Sequence, residues 1–298
     1  MKVLSLFDGI SCGMVALERA NIPVERYVAY EIDKSAIKVS KHNYPQIEHK
    51  GDVTTADFTQ YKGFDIVMGG FPCQDLSIGQ HKEERSLNGK RSGLFWELVR
   101  AITEVKPKYF FVENNYGMPK DAEKIITEVL GVEPIMIDSS LVSAQRRKRL
   151  YWTNIPNVML PSDRKIMFQD IVESGFVHTE KSYCLTANYN GAYPADLFKS
   201  VRSQVFEPCE NGKFTVKDGV AHIPGYNRVQ GKEYVKVKNI PDGTYNLRKL
   251  TVSECARLQT MPIDYFHGFN ENECRKALGN GWTVDVIAHI LSYIPKES

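Results

Sequence analysis

The stretch VLSLFDGISCG, residues 3–13, decides the fold of this protein. Residues 3–7 are apolar enough to form a buried strand, and the pattern from residue 11 onward is helical. Gly9 and Gly13 let the backbone turn tightly and approach a ligand at the helix N-terminus. The spacing differs from the Gly-x-Gly-x-x-Gly of dinucleotide-binding loops, which disfavours a nicotinamide cofactor. A tight turn that binds nothing explains the loop equally well.

The alternation that begins there continues through the first half of the chain. Apolar runs predict strands at residues 3–7, 27–31, 64–68, 109–113 and 134–137, and amphipathic stretches predict helices at 11–20, 33–43, 93–105 and 119–130. Strands that alternate with helices predict a parallel sheet covered on both faces. We therefore expect an α/β fold built on a doubly wound, mostly parallel sheet.

A different pattern occupies residues 157–247. Gly, Pro, Asn and Tyr are frequent there, helical periodicity is weak, and residues 234–238 alternate polar and apolar side chains. These features predict a small, irregular, β-rich domain that carries recognition loops. Helical patterning returns with the capping-box sequence at 251–254 and again at 283–293. The predicted division is residues 1–156 with 248–298 as one domain, and 157–247 as the other.

The composition excludes several classes of protein. The chain has 298 residues, 42% hydrophobic content and a net charge of +2, so a DNA-binding surface would need an uneven distribution of its 38 basic residues. It has no apolar run of the roughly 18 residues that a membrane helix needs, and its first residues show no signal-peptide pattern. Its six cysteines form no Cys-x-x-Cys pair. We expect a cytoplasmic protein with reduced thiols, no metal and no membrane partner.

A candidate nucleophile follows the predicted strand at 64–68. The sequence GGFPCQDLS, residues 69–77, places Cys73 at the carboxyl end of a parallel strand, where such sheets bind their ligands. A lone cysteine is usually a buried apolar filler, but a polar turn of Gly and Pro is a poor core position. Residues 78–92 are polar, and they are either a mobile lid beside this cysteine or an ordinary disordered loop.

Charged residues mark two further candidate positions. Glu31 ends the second predicted strand, where an acid often holds a ribose, and Asp52 follows a glycine near another strand edge. Each of these acids alone is more often structural. Arg147 and Arg149 alternate along a predicted strand and would share one face. The cluster at 146–149 could be a solvated charge run, although its neighbours Gln145, Tyr151 and Trp152 favour a site.

Six motifs together resemble the cytosine-5 DNA methyltransferase family. They are FDGISCG at 7–13, GGFPCQDLS at 69–77, VENN at 112–115, SAQRRKRLYW at 143–152, RKLTVSECARLQTMP at 248–262 and ALGNGWTVDV at 277–286. They stand in the family's order and cover nearly all of the chain outside residues 157–247. The resemblance implies the class I S-adenosylmethionine methyltransferase fold, a target-recognition domain, and a DNA cleft between the two domains.

The resemblance also implies roles for single residues. Residues matching the family's catalytic positions are Cys73, Glu113, Arg147 and Arg149. Residues matching the S-adenosylmethionine site are Phe7, Asp8, Gly9, Gly13, Glu31, Asp52, Pro72 and Asn280. Residues matching DNA-contacting positions are Gln74, Ser77, Arg91, Gln145 and Arg147. We expect a monomer that acts on double-stranded DNA near the nucleoid, with a cognate restriction endonuclease as a potential partner.

The implied reaction has a clear physical basis. The Cys73 thiolate adds to carbon 6 of cytosine, and Glu113 holds a proton at ring nitrogen 3, which absorbs the developing negative charge. One of the two arginines is expected to hold the base's carbonyl oxygen, and the other to hold phosphate. Neither group can reach a base inside a duplex, so the cytosine must flip out, which costs a few kcal/mol.

Three positions depart from the commonest family pattern. Asn115 replaces a valine, Asp75 replaces a small residue, and Gly281-Trp282 replaces a serine after Asn280. None removes a catalytic group. Two alternatives remain: an RNA (tRNA) cytosine methyltransferase, which the missing Cys-Phe-Thr signature of that subfamily disfavours, and a catalytically inactive DNA-binding homologue, which the retained motif residues disfavour.

Overall fold

The computed structural model describes residues 1–72, 92–189, 191–224 and 233–296. The predictions for Cys73, Gln74, Asp75, Ser77 and Arg91, and for the loop 78–92 up to residue 91, lie outside these described residues. The chain divides into two compact units. The first contains Met1–Asp138, Lys148–Pro161 and Val284–Ser298, and the second contains Ser139–Arg147 and Ser162–Thr283.

The first unit is built on a seven-stranded sheet with the order β3-β2-β1-β4-β5-β7-β6. Its strands are β1 (Lys2–Leu6), β2 (Arg26–Tyr30), β3 (Glu48–His49), β4 (Ile66–Gly70), β5 (Tyr109–Asn115), β6 (Ile135–Asp138) and β7 (Lys148–Thr153). The five strands in the order β3-β2-β1-β4-β5 pair in parallel. Strand β7 is antiparallel to both of its neighbours, β5 and β6. The doubly wound, mostly parallel sheet predicted from the sequence is confirmed.

The helices of the first unit lie close to their predicted positions. They are α1 (Cys12–Arg19), α2 (Lys34–Asn43), α3 (Phe95–Val105), α4 (Lys120–Leu130) and α8 (Val284–Leu291). Asp33 caps the N-terminus of α2: its side chain accepts hydrogen bonds from two backbone N–H groups of the first turn. Helix α8 packs on α1, and Arg19 of α1 donates to Asp285 of α8 at 2.5 Å. No helix among the described residues is long and apolar enough to cross a membrane.

Continuous burial explains why these strands are central. The last four residues of β1 and of β2 are buried, as are the first six of β5, so the strands read as apolar runs without alternation. The core they form includes Leu4, Val28, Val67 and Val112. Because these strands run parallel, their carboxyl ends lie at one edge of the sheet.

The second unit contains a five-stranded antiparallel sheet with the order β11-β10-β9-β12-β8. Its elements are α5 (Pro194–Lys199), β8 (Val205–Pro208), β9 (Phe214–Lys217), β10 (Val220–His222), β11 (Tyr234–Lys236), β12 (Gly243–Arg248), α6 (Val252–Leu258) and α7 (Glu271–Asn280). The predicted capping box is present: Thr251 and Glu254 exchange side-chain and backbone hydrogen bonds at the start of α6. Residues 248–283 are grouped with this unit, whereas the functional division at 157–247 stays a prediction.

Candidate active site

The site begins where strands β4 and β5 end side by side. Gly70, the last residue of β4, pairs with Glu113 near the end of β5. The chain therefore leaves the sheet beside Glu113, and Cys73 follows Gly70 by three positions in the sequence. Parallel strands place such residues at the carboxyl edge of the sheet, which is where α/β folds bind ligands.

An ion pair holds the Glu113 carboxylate. Arg149 Nε lies 2.9 Å from Glu113 Oε1, and both side chains are largely buried, at 15% and 12% exposure. The pairing arises because β7 runs antiparallel to β5, with Arg149 opposite Asn115 and Tyr151 opposite Glu113. A charge-assisted hydrogen bond of this kind orients the carboxylate and resists its displacement.

The two asparagines of the VENN motif support the same corner, a role that the motif resemblance did not assign. The Asn114 side chain is 1% exposed, and its Nδ2 donates to the carbonyl of Phe71 at 3.1 Å. That bond anchors the chain two residues before Cys73. Asn115 Oδ1 accepts a hydrogen bond from Arg149 Nη1 at 3.4 Å, so the residue that replaces the family's valine lies beside the arginine.

The glycine loop, residues 7–13, has a backbone conformation that permits the close approach of a ligand. Phe7, Gly9 and Ser11 all have positive φ, at 57°, 59° and 59°. Gly9 adopts this conformation without strain, whereas Phe7 and Ser11 need support from their surroundings. Gly13 serves packing, since a Cβ there would lie 2.6 Å from Met68 Cε and 2.9 Å from the Tyr27 hydroxyl oxygen. The loop is thus pressed against the sheet at the end of β1.

Two acids follow the neighbouring strands at the same edge. Glu31, after β2, accepts hydrogen bonds from the backbone N–H groups of Gly9 at 2.8 Å, Ile32 at 2.8 Å and Asp33 at 2.7 Å. Asp52, after β3, is exposed and caps a short 3₁₀ helix by accepting from Thr54 N at 2.9 Å. Glu31 is therefore bonded directly to the glycine loop. Pro72 is half-buried after the end of β4.

Asp8 occupies a different position from the other predicted cofactor ligands. Its side chain is only 8% exposed, and its carboxylate accepts hydrogen bonds from Ser5, Ser11 and Tyr27. Burial raises the pKa of this carboxyl from 3.8 to about 6, against the opposing effect of the three hydroxyl donors. The carboxylate faces the protein interior and supports the loop from within.

The second unit holds the remaining predicted residues. Gln145 is 0% exposed; its Nε2 donates to the carbonyl of Leu258 at 2.7 Å, and its Oε1 accepts from the N–H of Leu185 at 3.1 Å. Its amide is thus bonded inside the unit, and the DNA contact implied for Gln145 stays a prediction. Asn280 is the last residue of α7 and is exposed.

Arg147 differs from the sequence-based expectation. The predicted alternation of Arg147 with Arg149 on one strand is not found, because β7 begins at Lys148. The Arg147 side chain is 5% exposed, and it donates to the carbonyls of Leu185 at 2.9 Å and Gly281 at 2.9 Å. Those bonds direct its guanidinium to backbone of the second unit, so the base and phosphate contacts expected of Arg147 stay predictions. Arg149, by contrast, pairs with Glu113.

Comparisons with known proteins identify the family to which this chain belongs. The profile of the C-5 cytosine-specific DNA methylase family matches residues 1–296, and the chain belongs to that family. Type II methyltransferase M1.ScrFI of Lactococcus lactis subsp. cremoris is 26% identical over 96% of this chain and 76% of its own length. The orphan methyltransferase M.SPRI of Bacillus phage SPR is 28% identical over 59% of this chain and 43% of its own length. Type II methyltransferase M.NgoBV of Neisseria gonorrhoeae is 27% identical, and 54% of its length is covered.

Solved structures share the fold over almost the whole chain. Entamoeba histolytica methyltransferase EhMeth matches with a TM-score of 0.67 at 17% identity, covering 98% of this chain and 97% of its own. A Spodoptera frugiperda DNMT2 mutant matches with a TM-score of 0.66 at 18% identity, covering 98% of each chain. A putative DNA modification methyltransferase from an E. coli prophage matches with a TM-score of 0.60 at 16% identity, covering 98% of each chain. At these identities the likeness concerns the fold alone.

Proposed function

We propose that this protein transfers a methyl group from S-adenosylmethionine to carbon 5 of cytosine in double-stranded DNA. The observation that carries the proposal is the largely buried pair of Glu113 and Arg149, which lies beside Gly70, three positions before Cys73 in the sequence. Membership of the C-5 cytosine-specific DNA methylase family supports it. The chain spans between 43% and 76% of the length of the three relatives named above.

The residues at the sheet edge fit the cofactor. A loop with positive φ at Gly9 brings backbone close to the ligand, and the neighbouring Glu31 carboxylate is poised to accept ribose hydroxyls. We assign the cofactor to this loop, with Asp52 at the adenine and Asn280 at the methionine end as the family resemblance implies. When bound, S-adenosylmethionine supplies an electrophilic methyl group.

The protein's own groups prepare the cytosine. The Cys73 thiolate forms a bond to carbon 6, and the electron pair of the 5,6 double bond moves toward carbon 5 and the ring. Glu113 keeps a proton on ring nitrogen 3, so that the displaced charge is neutralised where it develops. Arg149 holds the Glu113 carboxyl in the orientation that this proton transfer requires. After carbon 5 is methylated, its proton passes to water, and the electrons of that bond expel the Cys73 thiolate.

A covalent trap tests nucleophile, substrate and cofactor together. Duplex DNA carrying 5-fluorocytosine should form a denaturation-resistant adduct with the protein, and only when S-adenosylmethionine is present. Fluorine cannot leave carbon 5 as a cation, so the thiolate cannot be expelled after methylation. The adduct is measured by a mobility shift on a denaturing gel, and the attached residue is identified by peptide mass spectrometry.

The controls separate the candidate chemistries. Cys73→Ser should abolish the adduct, because a serine hydroxyl is far less ionised than a thiol at neutral pH. The same substitution at Cys209, a partly exposed cysteine of the second unit, should leave the adduct intact. An adduct that persists in Cys73→Ser would refute the mechanism. An adduct on matched RNA alone would refute DNA as the substrate.

We further propose that residues 157–247 select the target sequence. Their antiparallel sheet presents polar residues on one face, including the exposed side chains of Lys217 and Lys236. Both lysines are in register with Val220 on the strand between them, which places them on the same face of the sheet, one on each side of β10. Positive charge on a sheet face suits contacts with DNA phosphates.

A further inference from the structure

A buried chain of side chains runs from the glycine loop to strand β3. Ser11 Oγ donates to Asp8 Oδ2 at 2.5 Å and lies 2.5 Å from Ser40 Oγ of α2. Ser40 Oγ in turn lies 3.1 Å from Nε2 of His49 on β3. Ser11 and Ser40 are both 0% exposed, so water does not substitute for these contacts. The glycine loop, α2 and β3 are thus joined by one chain of hydrogen bonds.

The position of every proton in this chain follows from the Asp8 carboxylate. Ser11 gives its single hydroxyl proton to Asp8, so the proton between the two serines must come from Ser40. Ser40 can then only accept from His49, whose Nε2 must carry a proton. The Nδ1 of neutral His49 is left as a bare acceptor, and among the described residues it is buried with no hydrogen-bond partner.

The titratable groups around this chain favour that arrangement. They are Tyr27 on β2, Cys12 on α1, Glu31 after β2, and His49 with the nearby Lys41. Tyr27 donates to Asp8 Oδ1 at 2.6 Å, and burial raises its pKa well above 10.0, so it stays a donor. Burial and the charge of Lys41 lower the pKa of His49, which keeps the imidazole neutral at pH 7.

We propose that the buried Asp8 carboxylate is a positioning residue for the cofactor, which fixes the glycine loop and sets the direction of the hydrogen-bond chain through Ser11 and Ser40 to His49. It restrains Ser11, whose φ of 59° is costly for a residue with a side chain. The neighbouring Gly9 N–H and Glu31 are the groups to which the cofactor is assigned. The inference rests on the proposed function for its ligand, and on the first unit alone for its hydrogen bonds.

Charge and shape can be separated by Asp8→Asn. Two hydroxyls, from Ser5 and Tyr27, point at the Oδ1 position, so the asparagine carbonyl takes that position and its Nδ2 faces Ser11. Ser11 then donates to Ser40, and Ser40 donates to His49 Nε2. The whole chain reverses, and His49 must carry its proton on Nδ1 instead.

The first experiment reads the His49 tautomer without any ligand. Long-range nitrogen–proton NMR of the imidazole should report the Nε2–H tautomer in the wild type and the Nδ1–H tautomer in Asp8→Asn. Ser40→Ala, which breaks the chain but leaves Asp8 and its three donors in place, should abolish the tautomer preference. An Nδ1–H wild type, or a tautomer that is the same in all three proteins, overturns the inferred hydrogen-bond direction.

The second experiment measures ligand binding by calorimetry. At pH 7, Asp8→Asn should weaken S-adenosylmethionine and S-adenosylhomocysteine by similar factors, about 10- to 100-fold, because the loop and not the sulfonium charge is affected. Wild-type affinity should fall as pH drops through about 6, where Asp8 gains a proton, whereas the variant's affinity should change little. Asp196→Asn, a control with the same 8% exposure in the second unit, should bind like the wild type.

Thermal unfolding distinguishes positioning from simple structural support. Ionising a carboxyl whose pKa is raised by burial opposes folding, so Asp8→Asn should melt at or above the wild-type temperature at pH 7. A lower melting temperature together with weaker binding would overturn the positioning role, as would unchanged binding. A wild type that binds neither ligand would refute the proposed function, while the tautomer experiment would still decide the hydrogen-bond chain.

Discussion

Arg149 Nε lies 2.9 Å from Glu113 Oε1, where the end of β5 lies beside the start of the antiparallel strand β7. The same guanidinium donates to the carbonyl of Lys148 at 2.8 Å and to Asn115. Arg149 is therefore held by its own strand while it orients the carboxyl group of the next one. The motif at residues 143–152 thus contributes Arg149, which orients the Glu113 carboxyl group of the proposed mechanism.

Removing either member of this pair should slow the chemical step. Glu113→Gln should lower the rate of methyl transfer by about 10²- to 10⁴-fold, because the proton at ring nitrogen 3 loses its partner. Arg149→Ala should lower it by about 10²- to 10³-fold with a smaller change in DNA affinity. The rates are measured in single-turnover assays with labelled cofactor.

The double variant gives a sharper result than either single change. Since Arg149 acts through Glu113, the two losses should not add, and the double variant should resemble Glu113→Gln. Glu128→Gln on α4, an exposed acid that pairs with Lys124, serves as the control. Fully additive losses would mean that Arg149 has a separate role.

Glu31 should be the strongest single determinant of cofactor affinity among the acids that follow the parallel strands. Its carboxylate accepts three backbone N–H groups, including that of Gly9. Glu31→Ala removes both the loop support and the proposed ribose acceptor, so calorimetry should show a loss of about 10- to 100-fold. Glu25→Ala, an exposed control, should bind normally. Equal affinities for the two variants would place the ribose elsewhere.

The edge of the main sheet should show a pH-dependent contribution to stability. Arg26 Nε donates to Glu48 Oε1 at 2.7 Å, and Lys50 lies 3.0 Å from Oε2, so the pKa of Glu48 is lowered from 4.5 to about 2. A lowered pKa stabilises the fold above pH 4.5, and this contribution is lost as pH falls toward 2. Because Glu48 is about one third exposed, we expect less than about 1 kcal/mol at pH 7.

Chemical denaturation of Glu48→Gln tests that sign. The variant should be less stable than the wild type at pH 7, and the difference should shrink steadily below pH 4.5. Glu25→Gln, whose side chain is 67% exposed, should show little difference at any pH. A gap that widens in acid would contradict the role assigned to the Arg26 pair.

DNA binding should depend steeply on salt despite the net charge of +2. If Lys217 and Lys236 contact phosphates, replacing both with alanine should reduce the slope of log affinity against log salt by about 2. Lys124→Ala, on an exposed lysine of α4, provides the control and should leave the slope unchanged. A wild-type slope near zero would point to a partner other than nucleic acid.

Sequence specificity should reside in residues 157–247. Replacing this segment with that of a related methyltransferase should move the methylated site to that of the donor, as read by bisulfite sequencing of cellular DNA. The chemistry should persist, because β1 to β7 and the Glu113–Arg149 pair lie outside the segment. Retention of the original target would contradict this division of labour.

The local patterns of the sequence were sufficient for the architecture. Apolar runs separated by amphipathic helices predicted the strands of the parallel sheet. A strand that is buried on both faces is apolar along its whole length, and this pattern can be recognised in each strand by itself. The capping box at Thr251 and Glu254 is likewise a short-range signal. The individual strands of the second unit were not predicted beyond one, because short antiparallel strands with exposed edges carry little periodicity.

The sequence by itself determined the order of strands and helices, the glycine loop, and the motifs that define the family. Only the tertiary structure decided that Arg149 meets Glu113, that Arg147 binds carbonyls of the second unit, and that Asp8 turns inward. Arg147 and Arg149 are two positions apart in one motif, so their spacing alone did not distinguish the environments of the two side chains. Which partner each side chain reaches depends on strand register and burial, and those arise from contacts between residues that are far apart in the chain.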